Sequence, residues 1–84
     1  MESNPSLKAS ILEVVDNQLK SNDPPESRQT FDRLVKEGYS EKRSKELIGA
    51  VVSAEIFEVL KKQEPFNLGR FIAALNKLPE IPEN

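Results

Sequence analysis

The sequence predicts an all-α fold: a compact four-helix domain with helices at about 5–20, 24–36, 41–62 and 68–77, followed by an extended C-terminal tail. Three observations lead there. Apolar residues recur at three- and four-residue spacing through most of the chain, the period of helices with one buried face. Glycine is scarce, at three residues, and the prolines fall at expected element boundaries. A capping residue (Asn4, Asp23, Ser40 or Asn67) precedes each apolar run.

The first helix carries Leu7, Ile11, Val14, Val15, Gln18 and Leu19 along one face. Asn4 suits the N-cap and Pro5 the first helical position, where a missing N–H costs nothing. The second helix is expected to open on Asp23-Pro24-Pro25-Glu26 as a capping box, with Asp23 at N-cap and Glu26 reaching back. On that reading Asp23→Ala costs about 1 kcal/mol. Pro25 also restricts Pro24 away from helical ψ, so an irregular first turn is expected. Phe31, Leu34 and Val35 form the apolar stripe of this short helix.

Gly38 fits the left-handed C′ position that stops helix two, with Tyr39 packing back on Leu34. Ser40 then caps helix three. The third helix is the longest, about 33 Å at 1.5 Å per residue. Leu47, Ile48, Val51, Val52, Ile56 and Val59 cover a broad face, while Phe57 and Leu60 lie well round from its centre. Such an excess predicts either the central helix of the domain or a helix whose second half also meets another chain. Pro65 ends it. Asn67 caps the fourth helix, Phe66 is placed to staple onto Phe71, and Leu68, Ile72, Leu75 and Leu78 complete an amphipathic face. Pro79 and Pro82 hold the tail extended, with Ile81 its one large apolar residue.

At 84 residues the chain is read as a single domain, residues 1–84. Fourteen acidic against twelve basic residues give a net charge of −2, which disfavours nucleic acid and anionic membranes as partners. Histidine, cysteine and tryptophan are absent. The commonest general base, thiolate nucleophiles and the usual transition-metal ligands are therefore missing. No enzyme activity is expected, and no catalytic, cofactor-binding or metal-ligating residue is assigned. The acidic pairs Glu13 with Asp16 and Glu55 with Glu58 lack the histidine that helical metal sites add. Glu55 lies between Val51 and Val59, so it sits at the edge of the apolar face or is buried against a cation such as Arg33 or Arg70. No basic leader or membrane-length apolar run is present, and a cytoplasmic location is expected.

Two binding chemistries are weighed. The turn at 37–40 with Lys42, Arg43 and Lys45 behind it has the layout of a helix-turn-helix, the three cations facing nucleic acid. Against it, Leu34 stands where that motif wants a small residue and Ser44 where it wants an apolar one. The same Gly38-Tyr39-Ser40 loop is similar to that of ubiquitin-associated domains, which break the following helix after about two turns, whereas this one runs on. Protein association, as a homodimer or with another protein, is the expected role, through Phe57, Leu60 and Ile81.

Taken together, Asn4-Pro5, Asn22-Asp23-Pro24-Pro25-Glu26, Thr30-Phe31, Arg33-Leu34, Gly38-Tyr39-Ser40, Glu55-Ile56 and Leu78-Pro79 resemble the pattern of a group of small uncharacterised bacterial helical domains. The resemblance rests on caps, turns and core positions. It implies a compact helical fold of bacterial origin and no particular activity.

Overall fold

A computed structural model describes residues 5–82, with side chains from Leu7 onward. Four helices follow in order: α1 (Pro5–Ser21), α2 (Pro25–Lys36), α3 (Glu41–Lys62) and α4 (Leu68–Lys77). The N-cap expected at Asn4 lies outside the described residues. The radius of gyration is 12.4 Å, close to the roughly 12 Å of a compact chain of this length.

Two of the three links are built by the residues the sequence singled out. At the end of α2, Gly38 adopts φ +107°, the Tyr39 N–H donates to the Leu34 carbonyl at 3.1 Å and the Gly38 N–H to Val35 at 3.0 Å. This is the Schellman arrangement, and it satisfies carbonyls that a helix end otherwise leaves open. Ser40 caps α3 by accepting from the Arg43 N–H at 3.0 Å. Asn67 caps α4 by accepting from the Arg70 N–H at 2.9 Å, while the Phe66 and Phe71 rings stand 5.5 Å apart as the staple.

The link between α1 and α2 differs from expectation. Asp23 does not cap α2: Pro24 is the N-cap, in extended conformation (φ −75°, ψ 151°), and no side chain caps this end. The physical reason is the restriction Pro25 places on the residue before it, which keeps Pro24 out of helical ψ and moves the helix start one residue on. Asp23 is left one position too early. Its backbone does other work, donating to the Gln18 carbonyl at 3.1 Å, with Asn22 in the left-handed region (φ 54°) closing α1. Asparagine tolerates that conformation better than most residues.

The core is formed by Val15, Phe31, Leu34, Leu47, Ile48, Val51, Val52, Phe71, Leu75 and Leu78. Burying each of the larger side chains contributes about 1.5–3 kcal/mol. The backbones of every pair of helices approach closely except those of α1 and α4, so α2 shares with α3 the role of lying against all the others. Gly49 lets α1 approach α3, since a Cβ there would stand 3.2 Å from the Ile11 Cγ2. The buried Ser27 hydroxyl donates to Gln18 Oε1 at 2.8 Å and ties α2 to α1.

Candidate protein-interaction surface

Because the α1 and α4 backbones stay apart, one flank of α3 is left open between them. The result is a groove of about 360 Å³. Val52, Glu55 and Phe71, all nearly buried, form its floor, and Val14, Ile56, Leu60 and Phe66 form its walls. Ile56, expected in the core, is 43% exposed for this reason. Leu60 is 73% exposed, and Phe57, one helical step round from Ile56, is 46% exposed. Leu60 is the helix-surface neighbour of both Ile56, four residues before it, and Phe57, three before it, and so joins them into one apolar patch beside the groove. The Lys61 ammonium lies 5.7 Å from the centre of the Phe57 ring and leaves part of the ring open.

Ile81 is also exposed, but it lines a separate groove with Arg70, Ala73, Ala74 and Lys77. The structure thus brings Phe57 and Leu60 together and sets Ile81 apart from them.

Beneath the groove lies the ion pair that fixes α4. Glu55 is buried, and Arg70 donates to it at two points, Nε to Oε1 at 2.8 Å and Nη2 to Oε2 at 2.9 Å. The Asn67 N–H adds a third bond to Oε2 at 2.9 Å. The Arg70 bonds hold the Glu55 carboxyl below its ordinary pKa, against burial, which alone would raise it. Arg33, the other cation considered for Glu55, instead bonds the Glu37 carboxylate at 3.2 Å and the Leu75 carbonyl at 3.1 Å.

The three cations at the start of α3 are dispersed among acids. Lys45 Nζ stands 2.9 Å from Asp16 Oδ1, and Arg43 Nη1 stands 3.6 Å from Glu46 Oε1. Lys8 also reaches Glu46, at 3.3 Å, and with Arg43 keeps the Glu46 carboxyl below its usual pKa. Lys42 is exposed. Leu34 and Ser44, the two departures from the helix-turn-helix pattern, are both fully buried.

Of the acidic pairs, Asp16, Glu55 and Glu58 face Lys45, Arg70 and Lys62 respectively. Among the described residues no group of three or more acidic side chains could hold a metal ion, and no helix is long and apolar enough to cross a membrane.

The groove itself was the part hidden from sequence reading. Val14 and Ile56 have the spacing of core residues, and Phe66 reads as a staple alone. They line the space left where the α1 and α4 backbones stay apart. Comparison of the chain with family models, with curated proteins and with solved structures gives no match.

Proposed function

We propose that this domain mediates protein association without catalysis, and that its contact surface is the second half of α3 with Phe66 beside it. One observation carries the reading: Ile56, Leu60 and Phe66, each more than two-fifths exposed, line one groove, and Phe57, equally exposed, stands one turn from Leu60 on the same helix. Scattered single apolar residues on a surface need no explanation, whereas a patch that adjoins an apolar groove is the form that interaction sites take. The cytoplasm is the assigned compartment and, on the motif resemblance, a bacterium the assigned source. Binding of nucleic acid through Lys42, Arg43 and Lys45 has less support, because Arg43 and Lys45 already face carboxylates.

A photo-crosslinking amino acid in place of Leu60, irradiated in an extract of the native host, tests the proposal. A protein adduct is expected from position 60 and not from the exposed position of Lys36 on α2. Equal labelling from both positions, or none from either, would overturn it.

A further inference from the structure

We propose that the partner is a second copy of this chain, laid antiparallel along the exposed strip of α3; the inference rests on the association reading and names its occupant. Glu46, Ala50, Ser53, Phe57, Lys61 and, just past the helix end, Glu64 follow one another at intervals of three or four residues. The five within the helix therefore share one side of α3, and Glu64 lies beyond its end, after Gln63 has left the helical conformation (φ 55°). Ser53, Phe57, Lys61 and Glu64 are exposed, and Glu46 and Ala50 are half-buried.

The strip is complementary to its own reverse. In the antiparallel register centred between Ser53 and Ala54, Phe57 faces Ala50 of the second copy, so a large side chain meets a small one. Lys61 then faces Glu46, and Glu64 faces the Lys42 and Arg43 end. Twofold symmetry makes each of these contacts twice. The parallel alternative sets Phe57 on Phe57, Lys61 on Lys61 and Glu64 on Glu64, and like charges in register disfavour it. Glu46 is able to share its charge, because its present partners Lys8 and Arg43 are more than half exposed. Leu60 lies beside Phe57 on the flank toward α1 and adds apolar contact to the same interface.

The test uses two charge-reversed chains. In Glu46→Lys both facing positions are basic, and in Lys61→Glu both are acidic. Sedimentation equilibrium of the wild-type protein is expected to show a dimer. Each variant alone should dimerise at least about tenfold more weakly, and an equimolar mixture should return to within about threefold of wild type. If Glu46→Lys lowers the melting temperature, Glu64→Lys mixed with the double variant Lys42→Glu, Arg43→Glu repeats the exchange at the exposed ends of the strip. A monomeric wild type, variants that dimerise alone as wild type does, or a mixture that recovers nothing would each overturn the pairing. A monomeric wild type that still crosslinks from position 60 to a different protein would sink this inference and leave the association reading intact. Absence of any adduct at position 60 would sink both.

Discussion

Arg70 grips the buried carboxylate of Glu55 at two points, 2.8 and 2.9 Å, and so fastens α4 to the middle of α3. Removing one charge from such a pair strands the other, although Arg70, about one-third exposed, recovers part of the loss through water. Glu55→Gln should therefore cost roughly 1–3 kcal/mol in urea unfolding. The folded-state pKa of Glu55 is depressed, so its contribution is complete above the unfolded value of about 4.3 and fades as pH falls through the lower folded value. The variant should lose that part of the acid dependence, and an unchanged acid-unfolding curve would show that the pair contributes nothing.

The helix caps should separate cleanly. Ser40→Ala removes a bonded cap and should cost about 1 kcal/mol. Asp23→Ala touches a side chain that caps nothing and should stay within about 0.5 kcal/mol. Equal losses in chemical denaturation would contradict the assignment of Pro24 as N-cap.

Gly49 is required by its neighbour rather than by its own backbone. In Gly49→Val the branched side chain must enter space already held by Ile11, and overpacking of this kind costs roughly 1–3 kcal/mol. A melting temperature equal to or above wild type would show that α1 yields freely.

Ser44 is fully buried, and its hydroxyl has no hydrogen-bond partner among the described residues. Ser44→Ala removes an unsatisfied group and should be neutral or stabilising by about 1 kcal/mol in urea titration. Destabilisation would mean that the hydroxyl is bonded in solution.

Leu60→Ser should leave stability within about 0.5 kcal/mol, because the side chain is largely exposed, while weakening association. Comparing thermal melts with sedimentation separates the two effects. A fall in melting temperature with association intact would make Leu60 a folding residue.

The ends of α2, α3 and α4 were readable where caps, breakers and apolar period agreed, as at Gly38, Ser40 and Asn67. Asp23 misled because two rules competed, and the constraint Pro25 places on Pro24 outweighed a capping box. The apolar excess at Phe57 and Leu60 was visible as residues lying off the centre of a helix face. The groove was not, since no local pattern states that the α1 and α4 backbones will stay apart, and Ile56 and Val14 line the space between them. Gly49 was silent for a similar reason. A glycine inside a helical run carries no signal about which neighbour will crowd it.

The pairing of α3 with a second α3 is tested most directly by the solution mass of the wild-type chain, followed by light scattering from micromolar to millimolar concentration. The mass should climb from the 9.5 kDa of one chain toward twice that value as concentration rises. A mass that stays at 9.5 kDa across the whole range would contradict it.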